Sequence, residues 1–250
     1  MTSKTVEVPT PDGAADAFVA FPEGGGSHPG VLFYMDAIGL RPVLHEMAER
    51  LAGHGYYVLV PNVFYRHGPA PVLEVPDLRS AEAREAFVGR VMPLVNAHTP
   101  ERAVRDAAAY LDFLTAQPEV RPGPVGVTGY CMGGVLAVRT AAARPGQVAA
   151  AAAFHPGPLV SDGPDSPHRL APRITAELHV GHAAHDDSAR PEILGELDRS
   201  LDAAGIRYTD EVYPDTVHGF TMSDTAAFSP AASERHWDRL LDLFGRNLSP

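Results

Sequence analysis

The chain alternates short β-rich runs with amphipathic helical segments, and this alternation restricts its fold more than any other feature of the sequence. The β-rich runs predict strands at residues 31–35, 56–60, 125–128, 148–154, 176–180 and 207–213. Helical patterns predict helices near residues 42–52, 104–114, 132–143, 191–204 and 237–244. Such an order predicts an α/β fold, with a mainly parallel central sheet and helices on both faces.

Two further features complete the predicted organisation. Residues 16–21 predict an antiparallel strand added at one edge of the sheet. No internal repeat or linker-like block divides the sequence, so residues 1–250 are predicted to form a single domain. In sheets of this kind ligands and catalytic groups gather beyond the carboxyl ends of the strands, and we expect the functional residues there.

Composition and charge exclude several classes of function. The net charge of −11 disfavours nucleic-acid and anionic-membrane partners, because neither is attracted to a surface of its own sign. A single cysteine excludes an internal disulfide and a multi-thiolate zinc site. The longest apolar run, residues 148–154, is too short to span a membrane, and the first residues lack the apolar core of a secretory signal. We therefore expect a soluble, cytoplasmic protein.

The sharpest local motif is Gly-Tyr-Cys-Met-Gly-Gly at residues 129–134, between a predicted strand and a predicted helix. This is the Gly-x-nucleophile-x-Gly pattern of a nucleophile elbow, with Cys131 in the nucleophile position. The glycines relieve crowding at the sharp turn. The helix N-terminus and the Met132 N–H are expected beside the thiol, where they favour a thiolate and stabilise an oxyanion. The alternative is a buried structural cysteine before an ordinary helix.

A cysteine nucleophile needs a base at neutral pH, because an ordinary thiol with a pKa of about 8.5 is mostly protonated there. His218 follows the last predicted strand and is the candidate base, the alternative being an ordinary loop histidine. Asp186 follows the preceding predicted strand and is the candidate that orients His218 and offsets the imidazolium charge. Asp187 or Ser188 is expected to cap the helix that follows. The order nucleophile, acid, histidine is typical of α/β-hydrolases.

These motifs resemble those of the dienelactone hydrolase family. The resemblance extends from about residue 4 to residue 247, and its matching segments are residues 59–66, residues 129–134, Asp186 and residues 213–220. It implies an α/β-hydrolase fold, a triad of Cys131, His218 and Asp186, and hydrolysis of a small ester or lactone.

The resemblance also implies roles for two residues after the predicted strand at 31–35. The Ala37 N–H corresponds to the second oxyanion donor, beside that of Met132. The family has at the preceding position a glutamate that activates the nucleophile, and this chain has the shorter Asp36 there. The alternative for Asp36 is an N-cap of the following helix.

Substrate contacts are the part of the resemblance from which this sequence departs. Family members that cleave dienelactones hold the substrate carboxylate with arginines, one of them four residues after the catalytic histidine, where this chain has Met222. Arg66 is a candidate for another carboxylate contact, with a solvated loop residue as the alternative. Tyr130, within the elbow motif, and Phe220, two residues after His218, are further substrate-binding candidates. We expect the hydrolytic chemistry of the family without its named substrate.

Two remaining features receive different interpretations. His179, His182 and His185 recur at every third position, but they straddle a strand end where side chains alternate between faces, so no metal site is expected. Residues 66–98 form an insertion that is a candidate for lining or covering the pocket.

The sequence therefore predicts a hydrolase that cleaves a small-molecule ester or lactone through a thiol ester, with no cofactor. A monomer is the default expectation, because no long apolar stripe remains after the core is assigned. One alternative is a catalytically silent ligand-binding protein of α/β-hydrolase fold, which the departure at Asp36 favours. The other is a glutamine amidotransferase-like cysteine enzyme, which would have a flavodoxin-like architecture.

Overall fold

Eight strands form one central sheet in the computed structural model of the chain, which describes residues 1–248. The strands are β1 (Thr2–Thr10), β2 (Gly13–Phe21), β3 (Gly30–Tyr34), β4 (Tyr57–Pro61), β5 (Val125–Tyr130), β6 (Val148–Phe154), β7 (Glu177–His185) and β8 (Tyr208–Val217). Their order in the sheet is β1-β2-β4-β3-β5-β6-β7-β8. β1 pairs antiparallel with β2, and β2 with β4, whereas the neighbours from β4 to β8 run parallel.

Helices cover both faces of this sheet, as the alternation predicts. They are α1 (Pro42–Gly53), α2 (Ala81–Ala97), α3 (Pro100–Thr115), α4 (Met132–Ala143), α5 (Pro191–Ala203) and α6 (Pro230–Asn247). Ala153 and Phe154 are successive residues of β6 and therefore point to opposite faces. Ala153 packs against Gly134 of α4, and Phe154 packs edge-on against His236 of α6, with ring centroids 4.5 Å apart. Hence α4 and α6 lie on opposite sides of the sheet.

The predicted elements are confirmed, apart from the position of one strand. α4 and β6 have the predicted bounds, residues 132–143 and 148–154. The predicted antiparallel strand at 16–21 is part of β2, but its predicted place at the edge is wrong, because β1 pairs with its outer side. β1 itself has only a short apolar alternation, at Val6 and Val8, and Val8 is its one buried residue.

The centre of the sheet is fully enclosed. Every residue of β3, β4 and β5 is buried, which is typical of parallel strands covered on both faces. Such burial fixes the strand ends from which the loops of the site emerge. None of the helices within residues 1–248 is both long and apolar enough to cross a membrane.

Candidate active site

Cys131 lies on the sharp turn between β5 and α4. Its φ of 54° is in the left-handed region, which costs free energy for any residue other than glycine. Two glycines permit this turn: a Cβ at Gly129 would overlap the carbonyl oxygen of Gly133, and a Cβ at Gly133 would overlap that of Met35. Because both obstacles are backbone atoms of packed elements, the elbow requires glycine at both positions.

Hydrogen bonds to the neighbouring strand ends hold the elbow in place. The Cys131 N–H donates to the carbonyl of Phe154 at 3.1 Å, and the Cys131 carbonyl accepts from the Gly157 N–H at 2.9 Å. The cysteine remains partly exposed. The turn therefore presents a thiol from a fixed backbone at the N-terminus of α4, where the helix dipole favours negative charge.

His218 and Asp186 follow two neighbouring parallel strands, β8 and β7. The His218 Nδ1–H donates to Asp186 Oδ2 at 2.6 Å. The other oxygen, Asp186 Oδ1, accepts from the backbone N–H of Ser188 at 3.0 Å and from its hydroxyl at 2.8 Å. Hydrogen bonds to both oxygens thus hold the carboxylate in one orientation. The expectation that Asp187 or Ser188 caps α5 is wrong, because Arg190 is the N-cap residue.

The charges of this group favour a protonated imidazole. Burial alone would lower the pKa of His218, but the Asp186 carboxylate and Cys131 beside it raise that pKa to about 10. Burial would raise the pKa of Asp186, yet the hydrogen bonds from His218 and Ser188 lower it to about 2. A carboxylate and an imidazolium are therefore the stable forms of this pair at neutral pH.

Two cavities meet at the nucleophile, and both are lined by Ala37, Met92, Cys131 and His218. The first has a volume of about 420 Å³ and extends along α4 past Val135 and Leu136. The second has a volume of about 230 Å³ and extends beneath the loop after His218, past Met222 and Thr225. The remaining lining residues are mainly apolar, and they include Val88, Val91, Val95, Pro100, Ala103 and Pro158.

The insertion at residues 66–98 lines these cavities through α2. Met92 contributes to both cavities, Val95 to the larger one and Val91 to the smaller one. Arg84, one turn after the start of the same helix, donates through Nη2 to the backbone carbonyl of His218 at 3.3 Å. α2 therefore lines both cavities at the nucleophile and contacts the loop that carries the histidine.

The two predicted oxyanion donors lie at the larger cavity together with Cys131. Met132 is the first residue of α4, so its N–H has no acceptor within the helix. Ala37 comes from the loop after β3, and β3 is the neighbour in the sheet of β5, the strand that leads to Cys131. Both backbone groups are in the elements where the resemblance expects them.

Asp36 lines the smaller cavity, but its carboxylate is already bound. Arg41 Nη1 donates to Asp36 Oδ1 at 2.7 Å, and Arg41 Nη2 donates to Asp36 Oδ2 at 3.1 Å. Within residues 1–248 no hydrogen bond joins Asp36 to Cys131. The alternative of an N-cap is wrong, because Arg41, five residues later, is the N-cap residue of α1.

The four substrate-binding candidates occupy different places. Met222 lines the smaller cavity with Cys131. Tyr130 is fully buried behind the elbow, where its hydroxyl bonds to His236 Nε2 at 2.9 Å. Phe220 is also fully buried and stacks on Tyr213. Arg66 lies outside both cavities that contain Cys131, and it pairs with Asp12 and Asp106. Only Met222 is thus brought to the nucleophile.

Two residues at the site were not found by sequence analysis. Arg84 lines the smaller cavity, and no acidic partner contacts it among the described residues. His155 follows β6, is 1% exposed and packs edge-on against His218, with ring centroids 5.2 Å apart. Burial, together with His218 and His236, holds the pKa of His155 well below its usual value. The only signal in the sequence was the position of His155 directly after a predicted strand.

The evenly spaced histidines His179, His182 and His185 all lie on β7. His182 Nε2 pairs with Asp210 on the neighbouring strand at 2.9 Å, and His185 is exposed. In the part of the chain that the structure describes, no group of three or more histidine, cysteine, aspartate or glutamate residues has an arrangement that could hold a metal ion.

Known proteins share this fold and sequence pattern. A carboxymethylenebutenolidase of Rhodococcus opacus is 28% identical over 227 residues, which cover 90% of this chain and 83% of that protein. A crystal structure from Klebsiella pneumoniae, provisionally named a dienelactone hydrolase, superposes with a TM-score of 0.82 at 21% identity and covers 98% of each chain. A dienelactone hydrolase-like promiscuous phosphotriesterase from metagenomic libraries gives a TM-score of 0.79 at 24% identity and covers 99% of each chain.

These likenesses confirm the predicted α/β-hydrolase fold, with its eight-stranded, mostly parallel sheet. Residues 15–248 match the model of the dienelactone hydrolase family, which is most of the chain. The match includes the elbow, the Asp186 loop and the His218 loop. The chain therefore belongs to the dienelactone hydrolase family.

Proposed function

We propose that this protein hydrolyses small esters or lactones with Cys131 as the nucleophile. The observation that carries the proposal is the strained elbow, which presents the Cys131 thiol beside a hydrogen-bonded His218–Asp186 pair at the junction of two apolar cavities. The proposal takes residues 1–250 as one hydrolase domain. Because a catalytic thiol persists best in a reducing compartment, we also propose a cytoplasmic location.

In the first half of the reaction, a thiolate is the attacking group. The proton of the Cys131–His218 pair resides on His218, and this imidazolium is stabilised by Asp186. The Cys131 sulfur then adds to the ester carbonyl carbon, whose oxygen becomes an oxyanion. When this tetrahedral species collapses, the carbon–oxygen bond to the leaving group breaks, and His218 returns its proton to the departing alkoxide.

In the second half, water releases the acid. The neutral His218 removes a proton from a water molecule, which attacks the carbonyl carbon of the thiol ester. The carbon–sulfur bond then breaks, and Cys131 leaves as a thiolate beside the imidazolium. No further reagent is needed, since one water is consumed and one carboxyl group and one hydroxyl group are formed, on two molecules for an ester and on one for a lactone.

The Met132 and Ala37 N–H groups are proposed to bind the oxyanion in both halves. They lie at the larger cavity together with Cys131, and Met132 opens α4, whose N-terminal dipole favours negative charge. Donors of this kind contribute on the order of a hundredfold or more in rate. Asp36 is proposed to assist the reaction from the loop that also carries Ala37, and Arg41 balances the charge of its carboxylate.

The substrate is proposed to be a small molecule with apolar groups. The linings of both cavities are mainly apolar, and the cavities have volumes of about 420 and 230 Å³. The proposal of a lactone substrate is supported by the name of the Rhodococcus relative, carboxymethylenebutenolidase. Arg84 is the proposed contact for an anionic group, because it lines the smaller cavity beside Cys131.

The two other interpretations of the sequence receive less support. A glutamine amidotransferase-like enzyme would have a flavodoxin-like strand order, and the observed order differs from it. A silent binding protein would have no reason to maintain a strained cysteine beside the hydrogen-bonded His218–Asp186 pair.

Hydrolysis of p-nitrophenyl acetate tests the proposal with three proteins side by side: wild type, Cys131→Ala and the control His185→Gln, which changes an exposed histidine next to Asp186. We expect turnover by wild type and by the control, and none above background by Cys131→Ala. Acid-quenched wild type should carry one acetyl group on its only cysteine. Equal rates in wild type and Cys131→Ala would refute the nucleophile, and stoichiometric binding without turnover would favour the silent protein.

A further inference from the structure

One arginine binds two carboxylates that come from separate loops at the site. Arg41 holds both oxygens of Asp36 through Nη1 and Nη2. It also donates through Nε to Asp224 Oδ2 at 2.6 Å and through Nη2 to Asp224 Oδ1 at 3.2 Å. The side chains of Arg41 and Asp36 are only 4% and 5% exposed, so their ion pair is shielded from water, whereas the side chain of Asp224 is 32% exposed.

The first of these carboxylates organises the loop that carries Ala37. Asp36 Oδ1 accepts from the Ile38 N–H at 3.0 Å, and the Asp36 carbonyl accepts from the Gly39 N–H at 3.2 Å. Arg41 Nη1 also donates to the Gly39 carbonyl at 3.1 Å. The peptide N–H of Ala37 therefore belongs to a turn in which the Asp36 carboxylate and the Gly39 carbonyl both accept hydrogen bonds from Arg41.

The second carboxylate belongs to the loop that carries His218. Asp224 lies six residues after His218, in a segment folded by hydrogen bonds from the Met222 N–H to the Gly219 carbonyl and from the Thr225 N–H to the Met222 carbonyl. Arg41 thus connects the loop of the proposed oxyanion donor with the loop of the proposed base. These loops follow β3 and β8, which lie far apart in the sheet order.

The charge of Arg41 has a second effect. Asp36 lines the smaller cavity together with Cys131, so an unpaired carboxylate there would repel the negative charge that develops during the reaction. Burial alone would lower the pKa of Arg41, but Asp36 and Asp224 raise it, and the guanidinium stays charged. A bidentate guanidinium is suited to this arrangement, because its planar fork can satisfy two carboxylates at once.

We propose that Arg41 is a positioning residue for the hydrolysis: by binding Asp36 and Asp224 together, it holds the Ala37 N–H and the His218 loop in the geometry that the reaction needs. This role rests on the proposed function. Arg41 acts through Asp36 and Asp224 and need not touch the substrate. In this proposal Asp36 helps to hold the Ala37 loop in place, a function that differs from direct activation of the thiol.

Kinetics of three variants test the proposal: Arg41→Met, Arg41→Lys and Asp224→Asn. Since a misplacement of about 1 Å can cost about a hundredfold in rate, we expect Arg41→Met to lower kcat by about ten- to a hundredfold, with a smaller change in KM. Arg41→Lys should recover part of kcat, because an ammonium reaches one carboxylate but not both. Asp224→Asn should lower kcat less than Arg41→Met, because Asp36 remains bound.

The matched control is Arg50→Met, which removes a similar two-pronged ion pair, with Glu234, between α1 and α6. Arg50 lines neither cavity at Cys131, and its variant should keep the wild-type kcat. A folded Arg41→Met protein with the kcat of Arg50→Met would overturn the proposal. If Cys131→Ala instead kept its activity, the proposed function would be the part that failed.

Amide hydrogen exchange gives a readout that needs no turnover. We expect Arg41→Met to increase exchange at residues 36–39 and also at residues 218–225, which are distant in sequence and are both bound by the Arg41 guanidinium. Asp224→Asn should increase exchange at residues 218–225 more than at residues 36–39. Faster exchange at residues 36–39 alone in Arg41→Met would contradict a connection between the two loops.

Discussion

The Nδ1 atom of His218 lies 2.6 Å from Oδ2 of Asp186, a carboxylate whose other oxygen is held by Ser188. This geometry fixes the imidazole tautomer, so that Nε2 is the atom free to exchange a proton with the thiol. Asp186→Asn should therefore lower kcat by about a hundredfold to ten-thousandfold while the fold is retained. Steady-state kinetics with an activated ester, together with circular dichroism, measure this effect. A variant with wild-type kcat would show that Asp186 has only a structural role.

The same pair predicts a dependence of stability on pH. The pKa of His218 is about 10 in the folded protein and about 6.5 for an unperturbed histidine, so the folded state binds this proton more tightly. Its contribution to the free energy of unfolding is fully present below about pH 6.5 and is lost as the pH rises towards 10. Urea unfolding at several pH values should show a steeper loss above neutrality for wild type than for His218→Gln. Equal slopes in the two proteins would contradict the raised pKa.

Gly133→Ala should damage the elbow itself. The added Cβ would overlap the carbonyl oxygens of Met35 and Tyr34, which belong to the packed backbone around the end of β3. We expect a loss of about 1–3 kcal/mol in the free energy of unfolding, because neither side can move without distorting the sheet. Gly146→Ala is the control, since its Cβ would meet no atom within 4 Å. Equal stabilities of the two variants by urea titration would argue against the close approach.

Arg66→Met should destabilise the fold. Its partner Asp106 is fully buried, so removal of the guanidinium leaves a buried carboxylate with its hydrogen bond from Tyr65 but without its counter-charge. The expected cost is about 3–5 kcal/mol in the free energy of unfolding. Arg105→Met removes a more exposed arginine that pairs with Asp12, and we expect it to cost at most about 1 kcal/mol. Similar losses in both variants would show that Asp106 does not depend on Arg66.

Arg84→Met should change substrate preference. Arg84 lines the smaller cavity, and within the described residues its one hydrogen bond is to the His218 carbonyl. An ester with a carboxylate should lose about tenfold or more in kcat/KM, because a charge-assisted hydrogen bond is removed, while a neutral ester should change little. The exposed Arg79→Met provides the control. An equal loss for both esters would indicate that Arg84 acts through the His218 loop instead.

The fold was largely accessible from the sequence because its buried strands have continuous apolar runs. β6 is one such run, and its predicted bounds are those observed. β1 was not accessible in this way, since Val8 alone of its nine residues is buried and its apolar alternation is limited to Val6 and Val8. Its pairing with β2 depends on backbone hydrogen bonds, which leave no pattern of side chains.

The candidate site was predictable to the extent that its residues have local signatures. Cys131 stands between glycines that the elbow requires, and His218 and Asp186 follow predicted strands. The partners of Asp36 had no such signature. Arg41 reaches back five residues to Asp36, and it also reaches Asp224, 183 residues further along the chain. A contact of this kind depends on how two loops meet in space, and one sequence does not record it.

Cys131, Asp186 and His218 follow β5, β7 and β8, so the site depends on strand pairing across one contiguous half of the sheet. No short segment of the chain contains even two of the three residues, and a partly unfolded protein that has lost β8 also loses its base. Enzyme activity is therefore a sensitive measure of the completed sheet. During refolding, activity should return only with the slow, long-range strand pairing, well after the local helices have formed.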